Sequence, residues 1–207
     1  MAELTDSLTQ LLEGQTGQIS QRIGADEAQT RAAVDAAVPA LLAALSQDAE
    51  RGSGLKSAIE RDHDGAIIDQ LSEYLGGTAA LNPRTTNGSG ILEHTLGDRQ
   101  TDVQRALSAK SGLDIGTIAR LLTLLAPIVM GMLGKRGRTS GGSGGGIGFD
   151  DIGDLLNREK SDARSKNPDI GDILDSFSRA GSGSGSKSGG GGIGDILDSF
   201  LGKDRKD

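Results

Sequence analysis

The stretch SGLDIGTIARLLTLLAPIVMGMLG, residues 111–134, decides the fold. Gly112 stops whatever helix precedes it, Asp114 supplies an N-cap, and a long apolar helix follows with Pro127 at its middle. Residues 121–133 form a run of 13 without charge, with Arg120 just before it. A membrane-spanning helix needs about 20 apolar residues, whereas a run of about 10–14 is more often a buried core helix. The run therefore predicts a core helix, with no membrane contact. Upstream lies a twin. At an offset of 88 residues Gly24 meets Gly112, Asp26 meets Asp114, Pro39 meets Pro127 and Leu45 meets Leu133. The twin, EAQTRAAVDAAVPALLAALSQDAE (27–50), is Ala-rich and suits close helix packing. A mid-helix proline costs roughly 3 kcal/mol or more, so its recurrence at one relative position predicts a shared, kinked geometry. Two pseudo-symmetric helical hairpins are expected, an internal duplication whose long helices pack together as the centre.

The remaining segments agree. Leu4, Leu8, Leu11 and Leu12 share one helix face that Gly14 ends. Ile19 and Ile23 mark a short helix stopping at Gly24. Ile67, Ile68, Leu71, Tyr74 and Leu75 repeat helical spacing before Gly76-Gly77, and Val103 and Leu107 lead to Gly112. Between them, residues 82–90 form a Pro/Asn/Gly loop, and Ile91, Leu92, Thr95 and Leu96 form a further turn or two. Strand alternation is nowhere sustained, so the expected fold is all-α over residues 1–137. Of the 33 glycines in 207 residues, 17 fall in 138–207. That last third is a flexible low-complexity tail that cannot build a core of its own.

A net charge of −7 disfavours nucleic acid and anionic membranes, which reward clustered Lys and Arg. The basic run Lys135-Arg136-Gly137-Arg138 is short and reads as a solvated helix end. The chain has no cysteine, which excludes disulfide and thiol chemistry and fits a reducing cytoplasm. The N-terminus lacks the apolar run of a secretory signal, so a cytoplasmic location is expected.

Taken with GSGILEHTLGD (88–98), the stretch at 111–134 resembles the bacterial YidB-like family, domain of unknown function 937. The resemblance covers roughly residues 1–135 and is most specific in 88–134. It implies an all-helical fold with no established activity and supplies no catalytic residue. Gly90, His94, Gly97, Gly112, Pro127 and Gly131 are read as structural.

Chemistry is sparse. His63 sits in ERDHDG, a charged stretch expected to be a solvated loop or helix end. His94 lies between Leu92 and Leu96, where a hydrogen-bonded structural histidine is expected. No set of Cys, His, Asp or Glu has the spacing of a zinc site, and no metal or cofactor is expected. FDDIGD and NPDIGD lack the ligand spacing of a calcium loop. Gly189, Gly191 and Gly194 satisfy a nucleotide-binding pattern only because glycine is abundant there. VQRALSAKSGLDIGTIARLL has a helix-turn-helix outline, but its second helix offers base edges only Arg120 among leucines and isoleucines. The chain is read as not an enzyme. If it were one, His94 or the Asp62-His63-Asp64 cluster would be the centre.

The tail writes one word three times. IGDILDSF occurs at 170–177 and again at 193–200, and a looser IGDLLNRE stands at 152–159. Ile170, Ile173, Leu174 and Phe177 are spaced i, i+3, i+4, i+7. Ile193, Ile196, Leu197 and Phe200 repeat this and Leu201 extends it. The first word has Ile152, Leu155 and Leu156, but polar Glu159 where the others have Phe. The three amphipathic helix segments are bounded at 149–159, 169–178 and 192–202. A two-turn helix is well short of the 12–15 residues at which isolated helices become marginal. A single word is therefore weak. The 15-residue spacer 178–192 spans about 20 Å, so one docked word holds the next near its site and avidity rises by about 10²–10⁴. The expected function is non-enzymatic interaction or scaffolding. These words dock their apolar faces on a protein, either a second copy of the chain, giving homo-oligomers, or another partner. Docking on the chain's own body uses the same groove and competes. The runner-up makes the tail an encapsulation or targeting peptide for a protein shell.

Overall fold

The computed structural model describes residues 4–52, 54–139 and 152–166. It is helical throughout, with no strand among the described residues. The elements are α1 (Leu4–Glu13), α2 (Thr16–Ile23), α3 (Glu27–Glu50), α4 (Leu55–Asp62), α5 (Ala66–Asp69), α6 (Leu71–Gly76) and α7 (Gly88–Leu96). After a 3-10 turn (Gly97–Arg99) come α8 (Gln100–Ser111), α9 (Ile115–Thr139) and α10 (Ile152–Lys166).

The two long helices repeat each other as the 88-residue offset requires. α2 ends at Ile23 and α8 at Ser111. Each is followed by a left-handed glycine, Gly24 at φ 75° and Gly112 at φ 74°, which an L side chain would strain. Asp26 Oδ1 then accepts from the amides of Ala28 (2.8 Å) and Gln29 (3.3 Å). Asp114 Oδ1 accepts from the Thr117 amide at 2.9 Å, and the Thr117 hydroxyl donates to Oδ2 at 2.6 Å. Those hydrogen bonds to Thr117 hold the Asp114 carboxyl below the usual carboxylate range. α3 and α9 start at Glu27 and Ile115, again 88 residues apart.

Between Ala33 and Asp48, α3 is buried at every position except Asp35, because α1, α2, α8, α9 and α10 surround it. That explains its alanines: a helix packed on all sides needs small residues for close approach. α9 is long and apolar enough over Ile115–Arg138 to cross a membrane by length and composition, yet 67% of its most apolar window is buried inside the body. It packs against α7, α5, α3, α8, α4 and α2.

Both prolines sit inside continuous helices. Pro127 has no N–H for the carbonyl of Thr123. The structure fills the gap with a glycine: a Cβ at Gly88 would stand 1.8 Å from that oxygen, so only Gly allows α7 to start there. The Tyr74 hydroxyl donates to the next carbonyl, Leu124, at 3.2 Å. Burial pushes the Tyr74 hydroxyl up to about 12, with Arg22 pulling weakly the other way. The raised value means that the neutral phenol stabilises the fold below pH 10. That stability is lost as pH climbs from about 10 through about 12, amounting to about 2–3 kcal/mol. Urea unfolding at pH 9 and pH 12 should show this loss. Tyr74→Phe should flatten the slope while costing about 1 kcal/mol at neutral pH.

Three features depart from the sequence reading. The helix expected over Ile67–Leu75 is broken at Gln70 into α5 and α6, since Ile67 must turn into α9, its Cγ2 lying 2.2 Å from where a Cβ on Gly131 would be. α4 occupies a polar stretch that carried no clear periodicity. The body also runs past residue 137: α9 continues to Thr139, and α10 packs chiefly on α3.

Candidate functional site

Two places on the body are the candidates for a site. The first is the seat of α10. Ile152, Leu155 and Leu156 are buried and join the same core as α1, α3 and α9. The first tail word is thus seated on its own body, as a longer helix than its eight letters. Ser46 Oγ donates to Asn157 Oδ1 at 2.7 Å, and Lys160 Nζ lies 3.7 Å from Glu50. Glu159, which looked like a defect in the word, is 3% exposed. Its carboxylate accepts from the amide of Leu4, from the amide of Thr5 at 3.0 Å, and from the Thr5 hydroxyl. It therefore caps the first turn of α1, where free N–H groups and the helix dipole favour an anion. The other word residues, Ile170, Ile173, Leu174, Phe177, Ile193, Ile196, Leu197, Phe200 and Leu201, lie outside the described residues.

The second place is a cleft of about 400 Å³ walled by the end of α3, α4, the 84–87 loop, α7 and Met130 of α9. It brings together the two histidines that stand 31 positions apart. His63, expected to be solvated, is 4% exposed. Gly134 explains this: a Cβ there would be 1.7 Å from the His63 carbonyl oxygen, so α9 presses directly on the His63 backbone. His94, expected to be a hydrogen-bonded structural histidine, has a side chain 62% exposed. Leu92, Thr95 and Leu96 face inward on α7 and turn position 94 outward. Its Nε2 stands 3.7 Å from Oδ2 of Asp48, a residue the sequence reading did not single out. Asp48 is 3% exposed. Among the described residues Asp48 Oδ2 and His63 Nδ1 are buried with no hydrogen-bond partner. Burial pulls the His63 imidazole below its usual value, against the opposing pull of Asp62 and Asp64, and so favours the neutral ring. Arg61 Nε pairs with Asp62 at 3.2 Å at the rim. No group of three or more His, Asp or Glu among the described residues is placed to hold a metal ion.

The basic run at 135–138 and Arg120 make contacts within the chain. Lys135 pairs with Asp69, Arg136 donates to Ser7 Oγ at 3.0 Å, and Arg138 Nη1 lies 3.4 Å from Asp64 Oδ2. Arg120 Nη1 donates to the Ile23 carbonyl at 3.0 Å, closing the end of α2. Any role in reading nucleic acid would break these contacts.

A family model described as a bacterial protein of unknown function (DUF937) matches residues 6–136. No curated protein matches the chain, and no solved structure does.

Proposed function

The chain belongs to the bacterial family DUF937, whose function is unknown, and from that premise we propose that it is a non-enzymatic interaction protein that self-associates by exchanging tail words between copies. The observation that carries this reading is the seated first word. Its groove on α3 takes Ile152, Leu155 and Leu156. The later words offer Ile170, Ile173 and Leu174, or Ile193, Ile196 and Leu197, at the same three positions. At the fourth apolar-face position the words differ in kind: Glu159 caps α1, whereas Phe177 and Phe200 have no acceptor for those amides. Glu159 thus favours the first word as resident and sets the threshold for exchange.

The rest of the body supports the same receptor. Among the described residues the only large exposed hydrophobic side chain is Ile115, so the seat under α10 is the apolar surface a word would seek. A copy whose α10 leaves opens that seat to the second or third word of a neighbour, and two words on one tail add avidity. The same words would equally address another protein or a protein shell.

The test is light scattering after size exclusion over a wide concentration range, comparing the full chain with a Leu174→Asp, Leu197→Asp variant. The wild type should rise in mass with concentration and the variant should not. If both remain monomers, self-association is wrong and the words serve a different partner.

A further inference from the structure

The cleft between α3, α4 and α7 is settled at its floor and open along its wall. Asp48, buried at the floor, already faces His94 at 3.7 Å and the charge of Arg99. The wall is apolar and concave: Leu55, Ala58, Ile91 and Met130 line it, and Ala58 and Ile91 are only half-buried. Two arginines stand at the rim. Arg61 pairs with Asp62, whereas the Arg84 guanidinium has no carboxylate partner among the described residues. At the α7 end the Gly90 amide is already taken, since it donates to Asn87 Oδ1 at 3.1 Å. A volume of about 400 Å³ is that of a cleft that takes a small molecule whole, with room for two neighbouring side chains of a helix.

These features fit an aromatic side chain. A thioether beside the ring and a guanidinium over its face are both favourable, and Met130 and Arg84 supply one of each. The tail words divide accordingly. The first carries Glu159, whose carboxylate caps α1. The second and third carry Phe177 and Phe200 at that position, which offer the α1 amides nothing and suit this cleft. Chain length then picks the second word. α10 runs alongside α3 in the same direction, Asn157 meeting Ser46 and Lys160 meeting Glu50. Its last residue, Lys166, therefore lies at the end of α3 where the cleft opens beside Asp48 and Leu55. Phe177 follows Lys166 by 11 residues, which span at most about 36–40 Å. So short a tether holds the word at an effective concentration of about millimolar.

We infer that the second tail word, residues 169–178, docks in this cleft on its own body, with Phe177 between Met130 and Arg84 and Leu174 along Ile91. This rests on the words being docking elements, as in the proposed exchange, but not on the seat of α10. One copy holds its first word in that seat and its second in the cleft, and the second leaves the cleft before it reaches a neighbour.

The test is the methyl spectrum of Met130 and Ile91 in the full chain, isotope-labelled and followed over a wide dilution range. The chain has only three Phe, so a ring-current shift at these methyls can be traced by substitution. Phe177→Leu, outside the body, should remove the shift at Met130. Phe200→Leu should leave it, and dilution should not change it. Arg84 is exposed, and Arg84→Ala should lower the ratio of docked to free word about two- to fivefold. The proposal is overturned if Phe177→Leu leaves the Met130 methyl where it is. It is equally overturned if the shift follows Phe200→Leu instead, or fades on dilution, which would put the third word or a second copy in the cleft. An unchanged ratio in Arg84→Ala would overturn the placement of the ring beneath the guanidinium. Light scattering reads exchange at the α10 seat separately, so either idea can fail alone.

Discussion

Replacing Gly134 by alanine is expected to cost about 3 kcal/mol or more, the upper end of what overpacking does. The added methyl would meet the His63 carbonyl oxygen at 1.7 Å, and a backbone atom has no rotamer with which to retreat. Either α4 moves away from α9, taking Leu55 and Ile59 out of the core, or α9 bends. At this size the loss lowers the melting temperature by about 6–12 °C. Gly153 provides the control. It is also helical, but a Cβ there meets nothing within 4 Å, so Gly153→Ala should gain about 0.5–1 kcal/mol from helix propensity. Thermal unfolding of the two variants beside wild type checks both signs. Equal effects would show that glycine at 134 serves no close approach.

The second large effect is at Glu159. Glu159→Ala leaves the amides of Leu4 and Thr5 and the Thr5 hydroxyl without their acceptor. Hydrogen bonds to a charged group are worth about 1.5–3 kcal/mol each in net terms, and the loss falls on α10 rather than on the whole body. Its other polar ties to α3 include the Ser46–Asn157 hydrogen bond and the half-buried Lys160–Glu50 pair at 3.7 Å. Hydrogen exchange should therefore show α10 losing protection by about tenfold or more, while α3 and α9 keep theirs. A uniform loss across the body would place Glu159 in global stability instead.

The sequence was most legible where structure is local. Gly24 and Gly112, the Asp26 and Asp114 caps, and the paired prolines announce themselves within a few residues, and they locate the two central helices closely. Burial imposed from far along the chain left no local trace. His63 lies among charges and reads as solvated, and only Gly134, 71 positions later, brings α9 onto its backbone. Glu159 breaks the apolar pattern of its word because its partners, Leu4 and Thr5, are more than 150 residues away. Asp48 ends a run of alanines and leucines as an unremarkable acid. Its burial exists only once α4 and α7 pack against α3. The apolar face of the first word was legible, but its packing on α3 depended on a groove that no short stretch encodes.

Exchange of words between copies can be observed directly. The chain has no cysteine, so Ser178→Cys places a single spin label beside the second word. Mixing unlabelled-isotope copies that carry the spin label with isotope-labelled copies that lack it makes only contacts between copies visible. Line broadening is expected at Ser46–Glu50 of α3 and at Leu4–Leu8 of α1, stronger when the isotope-labelled copy carries Glu159→Ala. No broadening at those residues in either mixture, at concentrations where the label broadens its own copy, would contradict it.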